Sequence, residues 1–169
     1  RDMPLEYPDY DEALVKNKND MRNTCYRIFN QYNPEDEKRL FDYISDKKMH
    51  RFFLIVLSKL RTNNRFEQSD QVINLLGKTL NHILDIAEAD ENFDNAKNCI
   101  ILSQTFFVMK DNKKCYITEF IRNHKWLSSV DFWIKFVEKM IDVEINRFVT
   151  LNKNVTKEEI LNQPEKLNP

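Results

Sequence analysis

Gly77 is the only glycine in a chain of 169 residues. Average usage is about 7%. Glycine is the residue that turns a chain through positive φ and lets backbone approach a phosphate. Tight β-hairpins, phosphate-binding loops and dinucleotide folds all draw on it. Those readings lose support together, and a helical chain is what remains.

Other global features narrow the field. A chain of this length fits one domain and can bury roughly 70% of its unfolded surface, so one core can hold it. Charged residues make up 31% and the formal net charge is -1. General binding of nucleic acid or of an anionic membrane calls for a clear basic excess, which this balance lacks. Cys25, Cys99 and Cys115 are odd in number and lack Cys-x-x-Cys spacing. They read as reduced thiols of a cytoplasmic protein. No apolar run nears the roughly 20 residues that a membrane-spanning helix needs. The chain begins at Arg1, which suggests a fragment of a longer protein.

The apolar spacing is helical almost throughout. Residues 1–9 read as an extended lead-in. Leu14, Met21, Cys25, Ile28 and Tyr32 mark one helix face. Asn33 then caps a second helix, with Pro34 at its first position and Glu35, Asp36 and Glu37 at the positive end of its dipole. Met49–Leu60 is the most apolar segment and reads as a third helix. Residues 66–90 form a fourth, with Gly77 inside it where a neighbouring helix crosses closely. Asn92 caps a fifth helix, "KDNKK" is a charged turn, and Cys115–Asn123 is a short helix. Ser128 or Ser129 caps a helix from about Val130 to Val149, whose stripe is Phe132, Trp133, Phe136, Val137, Met140, Val143 and Phe148. Thr156 and Glu159 make a capping box for a last short helix. The expectation is an all-α fold, an irregular bundle of seven or eight helices. Residues 10–150 form a single domain and 151–169 a capping helix and tail.

Catalytic and metal motifs are scarce. His50, His82 and His124 lack the paired spacing of a zinc site. Glu88, Asp90, Glu91 and Asp94 lack the glycine and terminal glutamate of a calcium loop. Ser103 and Cys115 are the nearest nucleophile candidates, and neither sits on a glycine elbow. No catalytic residue, metal or cofactor is expected. Basic residues cluster at Lys47, Lys48, Arg51, Lys59, Arg61 and Arg65, and again at Lys110, Lys113 and Lys114. Such a set suits an acidic partner or a phosphoinositide headgroup, or is simply a solvated helix face. Nucleic acid is not expected, because the aromatics follow the apolar stripes rather than the basic residues. Trp126 and Trp133, within "NHKWLSSVDFW", read as the two sides of a buried helix corner. An exposed binding hot spot is the alternative.

"DNAKNCIILSQTFFV" followed by "KKCYITEFIRNHKWLSSVDFW" resembles the helical region of the SET-binding-factor type. That region occurs in DENN-containing myotubularin-related pseudophosphatases, in some TBC-domain Rab GTPase-activating proteins and in small freestanding cytosolic proteins. Asp94, Ala96 and Lys97 match its Asp-x-Ala-Lys element. Thr105 and Phe106 match its Thr-Phe-Tyr element, with Phe107 in place of tyrosine. Tyr116 with Ile117 stands for a Tyr-Leu element. His124 and Trp126 stand for a His-x-x-Trp element, one residue closer together, and Phe132 and Trp133 for a Phe-Trp element. "MRNTCYRIF", "LFDYI" and "FFLIVLSKLR" extend the likeness over roughly residues 20–148. These positions are aromatic and structural in character. The resemblance implies a non-enzymatic protein-interaction or scaffolding module in a larger regulator of Rab GTPases and endomembrane traffic. Its partner would be a small GTPase or another domain of the parent chain. A peripheral membrane module and a contribution to GTPase activation are the alternatives.

Overall fold

Asp11 opens the first helix, its carboxylate accepting from the Leu14 N–H at 3.0 Å. A computed structural model describes residues 11–63 and 65–152. The lead-in read at 1–9 and the capping box at Thr156 and Glu159 lie outside the described residues. Helix α1 (Glu12–Asn30) buries Met21, Thr24, Cys25, Ile28 and Phe29. The Asn33 side chain then accepts from the Glu35 N–H at 2.8 Å, and Pro34 opens α2 (Pro34–Ile44). Asp36 does more than meet a helix dipole. It is nearly buried and accepts from Arg27 of α1 at 3.0 Å, tying the two helices together.

A 3-10 turn at Lys47–Met49 leads into α3 (His50–Thr62). Phe53, Leu54, Val56, Leu57 and Leu60 of α3 are all buried. Ser69 caps α4 (Asp70–Asp90). This helix buries residues on several sides, from Val72 and Ile73 to Leu84 and Ala87. A helix apolar over so wide an arc must lie at the centre of its fold. Against it pack α2, α5 (Phe93–Ser103) and α6 (Thr118–Ile121). The close crossing expected at Gly77 is present: a Cβ there would stand 2.5 Å from Phe120 Cγ of α6. The all-α class is therefore correct, with seven α-helices among the described residues.

One element departs from it. Residues expected to belong to a helix, a charged turn and another helix form an antiparallel hairpin, β1 (Phe107–Lys110) and β2 (Lys113–Tyr116). Glycine poverty does not prevent this turn because Asp111 and Asn112 take the left-handed conformation instead, with φ of 50° and 59°. Short Asp and Asn side chains tolerate that region better than other non-glycine residues, and a two-residue hairpin turn needs it. Segment 66–68 runs alongside β1, with the Phe107 N–H donating to the Phe66 carbonyl at 3.0 Å.

The chain divides into two compact units, Arg1–His124 and Lys125–Pro169, and the division falls inside the span read as one domain. In the second unit α7 (Val130–Leu151) follows Ser129. Its expected stripe is corrected. Phe132 and Ile145 are buried, whereas Trp133, Val137 and Val143 are exposed. The tryptophan corner is also corrected in part. Trp126 packs edge-on to Phe132 at 4.6 Å, and Phe132 is buried. Trp133 keeps 42% of its surface exposed and donates its indole N–H to the Leu127 carbonyl at 2.7 Å. Periodicity places both rings on a helix and its entrance, but it does not say which side of the helix is covered.

Candidate functional site: a cationic groove beside the hairpin

The two basic clusters of the sequence are rearranged by the fold. Lys47, Lys48 and Arg51 lie at the start of α3, and Lys59 and Arg61 near its end. Thirteen helical residues span about 20 Å, so the set does not converge on one point. Lys47 pairs with Asp90 at 3.2 Å, and Arg65 donates to the Asn30 side chain at 2.7 Å. Lys110 pairs with Asp70 at 2.9 Å, and that hydrogen bond raises the pKa of its ammonium.

Arg61 and Lys114 share a wall elsewhere. One is from the end of α3 and the other from β2, and both line an open groove of about 530 Å³. The rest of its wall is Thr62, Phe66, Gln104, Thr105, Phe107 and Tyr116. Strand register explains the aromatic side. Phe107 sits opposite Tyr116, so both side chains project from the same face of the hairpin, with ring centroids 5.5 Å apart. Lys114 is two residues before Tyr116 and therefore on that face too. Its ammonium lies over the Phe107 ring, 4.7 Å from the centroid. Thr62 and Thr105 donate their hydroxyls back to the Lys59 and Ile101 carbonyls. Among the described residues, no carboxylate belongs to the lining. A concave surface with two cations and no acid focuses positive potential and attracts anions.

A second cluster joins a histidine to two acids. His124 Nε2 lies 2.7 Å from Asp85 Oδ1, and one ligand atom from each of Asp85, Glu88 and His124 falls within 4.8 Å of the others. The histidine is buried and Asp85 is largely exposed. Asp85 and Glu88 share a face of α4, whereas His124 follows α6. Sequence spacing could not show this meeting, because 39 residues separate His124 from Asp85. The bond to Asp85 already engages Nε2, and it anchors the end of the first unit to α4.

Of the two nucleophile candidates, Ser103 is placed as a structural group. Ser103 is buried and donates to the Ile100 carbonyl at 2.7 Å. Burial raises the Cys25 thiol to about 12 and moves the Cys99 thiol in the same direction. Thiols so desolvated are poor nucleophiles at neutral pH. Cys115 is half-buried on β2. His50 is buried, with Nε2 2.7 Å from the Ile44 carbonyl, and desolvation lowers its pKa.

The positions that carry the resemblance divide by burial. Ala96, Phe106, Phe132 and His124 are buried; Asp94 and Lys97 are exposed; Thr105 and Tyr116 line the groove. Trp126 is half-buried and Trp133 exposed. α7 also presents Val130, Ile134, Val137 and Ile141 to solvent. Their spacing of four, three and four follows one helix face. Comparison with known proteins finds no matching family model, no matching curated protein and no matching solved structure.

Proposed function

We propose that the chain is a non-enzymatic protein-interaction module which takes an acidic segment of a partner protein in the groove. The observation that carries this reading is that Arg61 and Lys114 line one groove with an aromatic wall and, among the described residues, no carboxylate. Arg offers a planar fork for carboxylates, and Lys a compact charge on a flexible stem. Aromatic side chains add contact area around such ionic anchors. The working context, a regulator of Rab GTPases and endomembrane traffic, rests on the resemblance of the helical elements to the SET-binding-factor type.

Fluorescence anisotropy tests the surface. A labelled peptide rich in Asp and Glu should bind the protein, and a peptide with Asn and Gln in their place should bind at least tenfold more weakly. Arg61→Glu with Lys114→Glu should abolish the difference. Equal binding of both peptides, or binding indifferent to the charge reversal, would remove the groove from the reading. The context is tested by retention of small GTPases loaded with GDP or with a non-hydrolysable GTP analogue. Nucleotide-dependent retention that the charge reversal removes supports GTPase recognition through this groove. Retention of none argues for an intramolecular partner within the parent chain. Sedimentation with phosphoinositide vesicles discriminates the membrane alternative, which requires binding that Lys47→Glu, Lys48→Glu and Arg51→Glu together eliminate.

A further inference from the structure

We propose that the ligand group seated in this groove is a phosphate monoester carried on an aromatic ring, the chemistry of a phosphorylated tyrosine side chain. The inference rests on the acidic-segment reading and narrows it to one group. Three features point there. The first is charge. A carboxylate brings one negative charge, whereas a phosphate monoester brings about -1.5 to -2 near neutral pH. Two cations in a lining that holds no acid among the described residues match the larger charge. The Arg61 fork can meet two phosphate oxygens at once, with Lys114 as the point charge beside it.

The second feature is the wall. Phe66, Phe107 and Tyr116 supply three rings to one groove, and the Phe107 and Tyr116 planes are tilted by 59°. Aromatic groups prefer offset or edge-on neighbours, so rings set at an angle can receive another flat ring. Aspartate or glutamate has no ring to place there.

The third feature is size and preparation. A groove of about 530 Å³ falls within the range of small-molecule sites, roughly 300 to 1,000 Å³, and exceeds what one carboxylate needs. The Lys114 ammonium is already held over the Phe107 ring. That contact keeps the charge beside the aromatic wall before any ligand arrives, which lowers the ordering cost of binding. Gln104 and Tyr116 add uncharged donors for the remaining phosphate oxygens.

The ring-borne phosphate could belong to a protein side chain or to a free aryl phosphate, and the test separates the two. Phenyl phosphate, inorganic phosphate, a phosphotyrosine peptide and its unphosphorylated form are each titrated into the 169-residue chain. Amide and Arg side-chain NMR shifts are followed. The expected result is that phenyl phosphate perturbs Arg61, Gln104, Phe107, Lys114 and Tyr116. Arg61→Gln and Lys114→Gln should each weaken its binding by about tenfold or more. Tighter binding of the phosphotyrosine peptide than of phenyl phosphate supports a protein-borne group, and equal affinities support a free aryl phosphate. Inorganic phosphate binding as tightly as phenyl phosphate would overturn the aromatic part. An absence of groove shifts with every phosphorylated probe would overturn the inference. In that case charge-dependent binding of the Asp- and Glu-rich peptide would leave the acidic-segment reading standing, and its absence would remove both. Circular dichroism of each variant confirms that a loss of binding is not a loss of fold.

Discussion

Helices α4 and α7 look alike in sequence and differ in place. They have 21 and 22 residues, and each carries a dense apolar series. Ten residues of α4 are buried, but only two of α7 are. Val130 keeps 74%, Ile134 54% and Val137 51% of its surface exposed, while Leu80, Ile83 and Leu84 keep none. Apolar periodicity reports that a helix has a face to cover. It carries no information on whether the same chain supplies the cover. A contiguous exposed apolar face is a feature that soluble domains usually reserve for contact.

The largest test of this difference is truncation in α4. Leu80→Ala should cost about 2–5 kcal/mol, read by urea denaturation, because the surrounding helices leave a cavity behind. A loss below about 1 kcal/mol would mean that α4 is not the central helix. Gly77→Ala asks how tightly α4 is crossed. Helix propensity alone would favour alanine by about 1 kcal/mol. The new Cβ would meet Phe120 Cγ at 2.5 Å and its Cβ at 2.9 Å, neither of them the far end of the side chain. Overpacking of about 1–3 kcal/mol should therefore prevail. Adding Phe120→Ala removes the ring contacts but keeps the Cβ at 2.9 Å, so it should recover only part of the loss. A simple gain in stability from Gly77→Ala would show that α6 gives way.

His50 sharpens the comparison through pH, since its ring stacks edge-on with His82 of α4 at 5.6 Å. Its folded-state pKa is lowered, chiefly by desolvation, from an ordinary 6.5. The unfolded chain then binds more protons than the folded one below that value, so stability falls as pH drops beneath about 6.5 and continues to fall to the lower folded-state pKa. His50→Asn should flatten this part of the stability-against-pH curve. An unchanged slope would assign it to other groups.

The smallest effects belong to α7. Trp133→Ala should cost about 1–3 kcal/mol, from its hydrogen bond to Leu127 and its ring contacts with Phe132 and Phe136, less than the loss of a fully buried tryptophan. Ile134→Ala and Val137→Ala should fall within about 0.5 kcal/mol of wild type. If either matched Leu80→Ala, the face would be covered in solution and the contrast with α4 would disappear.

Much of the helical framework was legible before the fold. Asn33, Pro34 and Asn92 announced helix starts because caps act within one turn, where sequence neighbours are spatial neighbours; at α7 the start falls at Ser129, but its side chain makes no capping hydrogen bond. Gly77 announced a close crossing because a residue with no side chain tolerates one. The hairpin was not legible, since its turn uses Asp111 and Asn112 where glycine was expected. Two four-residue strands also offer too short a pattern to outweigh the flanking helical series.

The sequence by itself determined local matters: the helical class, most helix starts, the balanced charge and the scarcity of catalytic motifs. Tertiary structure alone decided which residues meet. It spread the Lys47–Arg61 series along α3 and placed Arg61 and Lys114, far apart in sequence, on the wall of one groove. It set Asp85 against His124 and left Val130, Ile134 and Val137 of α7 exposed. Caps and periodicity are short-range and are fixed by a turn or two of chain. Sites and burial depend on contacts between distant segments, which only packing of the whole core selects.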